Sequence, residues 1–542
     1  MPIASPGGSR SERVADGLAI LALAAVAAVA LTTFRDFGMG WDDFTQAQYG
    51  DLLVSLFGSG FADQRALHFV NLYAYGGGFD LLSSIVAGHL PFSLWETRRL
   101  CGALVGLVGL AATWRAGRRL GGPWAGLLAL LLLATCPLYI GHMFINPKDG
   151  PFATAMAVLL LGIVRALLQY PRPSPGTIAL AGIGIGCAVG TRVLGGFGVI
   201  VAILALLYLV AIEWLRLGPQ PAAKRLGTFA LALIPMVVLG YAVLALIWPW
   251  GVVDPLNPFR AAAYFSTFFE KPWRELFAGS LILVPDMPRT YLPHLLALKL
   301  PEVLLALGLA GIVTTLAMLA GRARPQRRAA LLAVLLFAVL PVAVTLVTRP
   351  AMYNGIRHFV FVVPPLAVLG GIAGAASLRW LWARSQALGA VAAIAVVAAL
   401  ALPVVHMARL HPYEYTYFNA IAGGVRGAAN RYMLDYWGVA FKQAAEALRA
   451  QIVASGAQPP AGGRWRVATC GPQAPATVEL GPQFDVTWEP EGAQWAMTLG
   501  TFYCRKLDAP VIAEIAREGV VYARVYDLRG RTIPSLLTIP AP

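Results

Sequence analysis

Eleven apolar runs of about 20 residues occupy the first three quarters of the chain. Each is long enough to cross ~30 Å of hydrocarbon as a helix. They fall at roughly 17–34, 98–117, 123–141, 151–169, 176–193, 195–214, 227–248, 296–319, 329–347, 357–377 and 386–405. A backbone inside a bilayer must satisfy its own polar groups, and runs of this length do so as helices. Composition agrees. Of 542 residues, 58% are hydrophobic and only 13% are charged, against about 25% charged in soluble domains. So few charges exclude a cytosolic enzyme, a disordered chain and a nucleic-acid-binding module. The net charge of +15 is then read as topology markers rather than as a nucleic-acid surface. The first run follows Arg10 and Arg13, has no convincing small-residue cleavage site and leads into a charged aromatic segment. It reads as an uncleaved first span.

Orientation follows from the connections. With the N-terminus inside, the inside segments carry sixteen Lys and Arg residues and only three acids, Glu12, Asp16 and Glu213. The first outside segment holds seven acids: Asp36, Asp42, Asp43, Asp51, Asp63, Asp80 and Glu96. That asymmetry fits the positive-inside rule, and an odd number of spans puts the C-terminus outside. The chain thus divides into a membrane domain, 1–405, with outside loops 35–97 and 249–295, and a tail, 406–542. Arg464 to Thr469 and Phe484 to Trp488 read as β, and Gly438 to Ser455 as helix. The tail is a small α/β domain of ~130 residues, long enough for its own core, with Trp465, Trp488, Trp495 and Tyr503 expected to fill it. Cys101, Cys136 and Cys187 lie in apolar runs and read as packing residues. Cys470 and Cys504 lie in the tail, where an oxidising compartment would allow them to pair.

Three outside clusters carry chemistry. In Gly40-Trp41-Asp42-Asp43-Phe44, adjacent carboxylates repel, which raises one pKa and leaves a base that works near neutral pH. The structural alternative is Asp43 as N-cap of an interfacial helix starting at Phe44. In Asn146-Pro147-Lys148-Asp149-Gly150-Pro151, Asp149 would cap the next span with Pro151 in its first turn, while Lys148 and Asp149 join Asp42 on one face. His142 reads as packing. The third set is basic: Arg192, Arg289 with Tyr291 and His294, Lys299, and Tyr353 with Arg357 and His358. Charges at membrane depth cost about 2.5–3.5 kcal/mol on insertion scales. They therefore require partners: the acids above, headgroups, or a lipid phosphate held by guanidinium forks. A sugar on a lipid phosphate is already activated. One carboxylate to take the acceptor proton and cations to stabilise the departing phosphate would suffice, unlike a glycoside hydrolase with its two carboxyl groups.

These residues resemble the GT-C superfamily of polytopic glycosyltransferases. The similarity is to the bacterial branch related to protein O-mannosyltransferases and the lipid A aminoarabinose transferase. Trp41-Asp42-Asp43 matches the acidic pair of the family's first outside loop, and Asp149 in Asn146-Pro147-Lys148-Asp149 matches its later acidic residue. Arg357-His358 with Pro364 matches the opening of a late span, and Tyr291-Leu-Pro293 to Lys299-Leu-Pro301 resembles the segment before the middle spans. Tyr415 to Asn419 and Asp435 to Gly438 resemble the start of the extra domain in bacterial members. The resemblance covers about 17–405 and implies a GT-C fold of about 11 transmembrane helices with a small C-terminal periplasmic α/β domain, in a bacterial inner membrane.

It further implies an inverting glycosyltransferase that moves a hexosyl or pentosyl group from a polyprenyl-phosphate donor to a periplasmic acceptor, a glycan, lipid or protein. Asp42 would be the base, oriented by Asp43. Asp149 would position the acceptor or Lys148. Lys148, Arg192, Arg289, Lys299, Arg357 and His358 would hold the donor phosphate, and Tyr291 and Tyr353 would contact acceptor or lipid. No cofactor and no metal motif is expected, since no His/Cys cluster has ligand spacing. Some relatives use a divalent ion with paired carboxylates, which here would fall to Asp42, Asp43 and Asp149. The partners are the lipid-linked donor, the acceptor and membrane lipids, with no nucleic acid. The rival reading is a transporter or flippase for a lipid-linked glycan or small molecule, which would place polar residues near the midplane. Here the charges lie near span ends, and no inverted repeat is found. A membrane scaffold presenting the tail leaves the Asp and Arg sets unexplained. Convergence of Asp42, Asp149 and Arg357 within about 12 Å, the reach of side chains plus a substrate in a pocket, separates the readings.

Overall fold

Proline starts and glycine reversals set the helix boundaries of the membrane part. The computed structural model describes residues 10–267, 273–460 and 463–538. Pro123, Pro137, Pro175, Pro219 and Pro325 each open a helix, where the missing N–H costs nothing. Ser93 and Glu96 close a reciprocal capping box on helix Leu94–Gly121. Gly122 then turns the chain at φ +90°, a conformation open to glycine, directly into helix Pro123–Ala134.

All eleven apolar runs are helical, with three adjustments. Nine are helices long and apolar enough to cross a membrane among the described residues. Pro123–Ala134 and Pro137–Ile145 form a tenth that bends by 63°, because Pro137 cannot continue the hydrogen-bond ladder. Pro175–Thr191 is apolar but has only 17 residues. The run expected at 296–319 is split by Pro301: its start belongs to a short helix, Tyr291–Lys299, and the span itself is Glu302–Ala320. The chain is thus a multi-pass helical membrane protein.

Contacts sort the connections onto two ends. At one end, Arg118 pairs with Asp16 at 2.6 Å, Arg225 with Glu213 at 2.9 Å, and Arg327 donates to Leu120 O at 2.8 Å. At the other, Gly77 N donates to Ile247 O at 3.0 Å, Asn419 N to Leu298 O at 2.8 Å, and Trp41 N to Trp437 O at 3.1 Å. The arginine-rich connections therefore share one end, and the acidic loop, the loop after Ile247 and the tail share the opposite one. That second loop carries a short antiparallel hairpin, β1 (Arg274–Phe277) with β2 (Ser280–Leu283).

The tail is a mixed five-stranded sheet of β3 (Trp465–Cys470), β4 (Phe484–Thr487), β5 (Trp495–Leu499), β6 (Val511–Arg517) and β7 (Val520–Asp527), ordered β4-β3-β5-β7-β6. β3 runs parallel to both β4 and β5, while β7 is antiparallel to β5 and β6. Helices Phe441–Ser455 and Gln473–Leu480 pack with it. Cys470 and Cys504 are disulfide-bonded. Trp465 and Trp495 are buried and Tyr503 is partly so, but Trp488 is exposed and stacks on Trp41 at 6.3 Å instead of filling the core. One apolar cluster is the tail's own, with Ala468, Ala496, Tyr526, Leu528 and Leu536, and a second is shared. Trp465, Val467 and Met497 share one apolar cluster with Ala30, Phe34, Leu100 and Phe144 of the membrane part.

By the positive-inside rule the arginine-rich end is expected to face the cytoplasm. Alkaline phosphatase fused to the C-terminus should therefore be active in bacterial cells, and a fluorescent protein that matures only in the cytoplasm should stay dark there. The reverse pattern would invert the topology.

Candidate active site

The first loop reaches the site through a buried ion pair. Asp43 is fully buried, and its carboxylate accepts from Arg99 Nη1 at 3.1 Å and Nη2 at 2.6 Å, and from Gly40 N at 2.8 Å. Arg99 also donates to Gly38 O at 2.7 Å. Arg98, its neighbour, pairs with buried Asp80 at 2.6 Å. Two cations face two carboxylates here, so this inner group is balanced. The expectation of a mutually repelling Asp42–Asp43 pair fails for that reason: Arg99 satisfies Asp43, which does not orient Asp42 as a side-chain partner. Nor does Asp43 cap from outside the helix. It is the first residue of helix Asp43–Gly58, with Asp42 at the cap position.

Asp42 turns the other way. Its side chain is 40% exposed, and Oδ2 lies 4.0 Å from Lys148 Nζ and 3.9 Å from Arg357 Nη1. Arg357 Nη1 is also 4.0 Å from Asp149 Oδ2, and Arg192 Nη2 is 2.5 Å from Asp149 Oδ1. Asp42, Asp149 and Arg357 thus meet well within 12 Å. Asp149 is buried at the first position of helix Asp149–Leu168. Capping falls to Asn146, whose Oδ1 accepts from Lys148 N at 3.1 Å and Asp149 N at 2.8 Å and whose Nδ2 donates to Asp149 Oδ2 at 2.7 Å.

Aromatic rings hold the cations. Lys148 Nζ and the Arg192 guanidinium lie over Tyr75, 4.6 and 5.6 Å from its centroid. Arg357 sits between Tyr353 at 4.9 Å and Trp437 at 4.8 Å, and donates to Tyr353 Oη at 2.9 Å. Such contacts stabilise a desolvated cation by about 2 kcal/mol. A Cβ on Gly40 would fall inside the Trp437 indole, so only glycine lets the loop pass that ring. Tyr436 donates to or accepts from His142 Nε2 at 3.0 Å, which makes His142 a buried support. His358 stands beside Tyr353, ring centroids 5.0 Å apart.

Three predicted residues lie elsewhere. Arg289 is exposed and donates to Leu346 O at 2.8 Å and Val347 O at 2.6 Å, closing the C-terminus of helix Pro325–Thr348. Tyr291 is buried rather than lipid-facing, and its hydroxyl donates to Glu275 at 3.0 Å. Lys299 is 1% exposed, 4.3 Å over the Phe418 ring, and lines a small cavity with Glu275.

Glu275, Tyr75, Trp437 and the Arg98–Arg99 pair were not legible as functional positions. Glu275 is buried in β1 and accepts from Asn354 N at 2.9 Å and Gly355 N at 3.4 Å, so it fixes the turn that delivers Arg357. Burial pushes its carboxyl up to about 7.

Among the described residues, Lys148, Arg192 and Arg357 form ion pairs within 4.0 Å with two carboxylates, Asp42 and Asp149. Among the described residues Arg192 Nε and Arg357 Nε are buried without hydrogen-bond partners, as are Arg98 Nε and Arg99 Nε of the inner group, so it is the charge count that sets the outer cluster apart. An excess of buried cation with spare donors suits an anion. The carboxylates do not suit a shared metal ion: Asp43 is spent on Arg99 and Asp149 on Arg192 and Asn146. Among the described residues no group of three or more His, Cys, Asp or Glu side chains could hold a metal.

A sequence profile of the dolichyl-phosphate-mannose-protein mannosyltransferase family matches residues 91–240. The chain resembles the GT-C glycosyltransferases. The match spans Arg98, Arg99, Lys148, Asp149 and Arg192, and leaves out Asp42 and Arg357. No curated protein matches. Among solved structures, ArnT from Cupriavidus metallidurans bound to undecaprenyl phosphate aligns at 16% identity and TM-score 0.47, over 94% of this chain and 98% of that one. The apo oligosaccharyltransferase of Archaeoglobus fulgidus aligns at 14% and 0.48, over 88% and 65%. The arabinofuranosyltransferase AftD from Mycobacteria aligns at 17% and 0.43, over 93% and 39%.

Two outcomes follow from the geometry. Asp43→Ala strands Arg99 in the interior and should lower stability by about 3–5 kcal/mol, whereas Asp42→Asn, at a part-exposed position, should shift it by no more than about 0.5 kcal/mol; thermal unfolding in detergent compares them. Because folding raises the Glu275 pKa from 4.5 to about 7, the folded state binds more protons, and this group's contribution to stability falls as pH rises through that window. Glu275→Gln should remove that component from the dependence of unfolding temperature on pH.

Proposed function

We propose that this site transfers a glycosyl group from a polyprenyl-phosphate donor to an acceptor hydroxyl at the periplasmic face of a bacterial inner membrane. The observation that carries the reading is the set of three cations, Lys148, Arg192 and Arg357, gathered around one accessible carboxylate, Asp42, and one buried carboxylate, Asp149. The match to the mannosyltransferase profile over 91–240 supports it.

The acceptor oxygen attacks the anomeric carbon from the face opposite the phosphate. As that bond forms, the bond from the anomeric carbon to the phosphate oxygen breaks, and configuration inverts. The acceptor proton goes to Asp42, and the polyprenyl phosphate leaves with the electron pair of the broken bond. Lys148, Arg192 and Arg357 stabilise the growing charge on the phosphate. Their aromatic supports hold them in place beforehand, so little reorganisation is needed at the moment of reaction. Asp149 is a positioning residue that sets Arg192 and Arg357. His358 borders the phosphate side, and Tyr353 lies where an acceptor or lipid would approach. No metal or cofactor is assigned a step.

Transfer of labelled sugar from polyprenyl-phosphate donors in detergent tests the reading. Asp42→Asn should lower turnover by about 10²–10⁴, the range for a general base, while binding of the polyprenyl phosphate persists. Unchanged turnover would remove Asp42 from the reaction.

A further inference from the structure

A second cavity, of about 560 Å³, opens between the membrane part and the tail. Its walls are the β1–β2 hairpin, residues 426–434, the turn after β5, and β7. Its volume lies in the range of small-ligand sites. Four cations line it, Arg426, Arg505, Lys506 and Arg524, and among the described residues no Asp or Glu does. Arg524 is paired with Glu514 at 2.7 Å, outside that lining. Arg426 Nε donates to the backbone carbonyl of Glu518 at 2.6 Å, and Arg426 is in no ion pair among the described residues. Arg505 and Lys506 are exposed. A cleft walled by one sign of charge concentrates ions of the other.

The cleft is also built in advance. The disulfide from Cys470 to Cys504 anchors the turn immediately before Arg505, and Arg505 N donates to Leu536 O at 2.7 Å. On the membrane side, Tyr432 is held by His294 at 2.7 Å. The same segment continues through Asp435 to Trp437, whose ring walls Arg357. Asp435 rigidifies this stretch by accepting from Gly438 N at 2.8 Å and from Val439 N and Ala440 N at 3.1 Å each. One short, fixed piece of chain therefore lines the cationic cleft at one end and the candidate active site at the other.

We propose that this cleft binds the anionic groups, phosphate or carboxylate, of an acceptor saccharide, and so holds the acceptor on the tail domain while its hydroxyl end extends along 432–437 toward Asp42. The proposal rests on the transferase reading for its direction but not for its test, which reads binding alone. The full chain in neutral detergent is titrated against fluorescent maltotetraose, with and without phosphate groups, and followed by anisotropy. The phosphorylated probe should bind at least 10-fold tighter than the neutral one and weaken as salt is raised. The exposed double variant Arg505→Gln, Lys506→Gln should lose at least 10-fold in affinity for it, and Asp42→Asn should bind as wild type does. Equal binding of the two probes, no binding of either, or an unaffected double variant would overturn the proposal. So would displacement by glycerophosphoglycerol as effective as by unlabelled phosphorylated maltotetraose, since the cleft would then read a lipid headgroup. Loss of transfer in Asp42→Asn with probe binding retained concerns the active site and leaves the cleft intact.

Discussion

The bidentate pair between Asp43 and Arg99 is the interaction on which the site depends. It sits in the interior, where removing one partner leaves an uncompensated charge, and it ties the first loop to the start of helix Leu94–Gly121. With Asp43 turned inward, the preceding residue presents Asp42 to the opposite side. The loop's path is fixed twice more, by Trp41 N on Trp437 O and by Gly40 against the Trp437 ring. One carboxylate is buried so that its neighbour can be placed.

Around Asp42 the protein tolerates an electrostatic imbalance that a structural site would remove. A purely structural cluster would resemble the adjacent Asp43, Asp80, Arg98 and Arg99 group, where charges match. The outer cluster instead has a surplus cation, and its guanidinium and ammonium groups lean on Tyr75, Tyr353 and Trp437 rather than on further carboxylates. Aromatic faces stabilise a cation without neutralising it. In the proposed reaction, that retained positive potential is what the departing phosphate meets.

Much of this was legible in the sequence, and the exceptions have physical causes. Helical runs were visible because length and apolarity alone define them; the break at Pro301 was blurred by the apolar residues on both sides of it. Asp42 was singled out by the carboxylate next to it, Lys148 and Asp149 by lying on the same outside face, and Arg192 and Arg357 because charge at a span end requires a partner. The same argument applied to Arg289 and Lys299 and misplaced them: Arg289 found carbonyl oxygens at a helix terminus, and Lys299 found the face of Phe418. Asp43 was misjudged because adjacency in sequence says nothing of direction at a helix start. Glu275 and Trp437 lie far along the chain from the residues they position, Arg357 and Gly40, and no local pattern carries that information.

The apolar cluster shared by the tail and the membrane helices has a consequence for biogenesis. Synthesis runs from the N-terminus, so Asp42, Lys148, Asp149 and Arg192 are made long before Trp437 and the strands behind it. Until the last quarter of the chain arrives, Phe34, Leu100 and Phe144 lack the tail side chains that bury them, and Arg357 lacks one of its two rings. A ribosome that stalls before the sheet is made leaves behind a set of helices with an open apolar end and an unfinished site. Completion of the site is thus tied to completion of the polypeptide, and a truncated product would be marked for quality control by the surface it fails to cover.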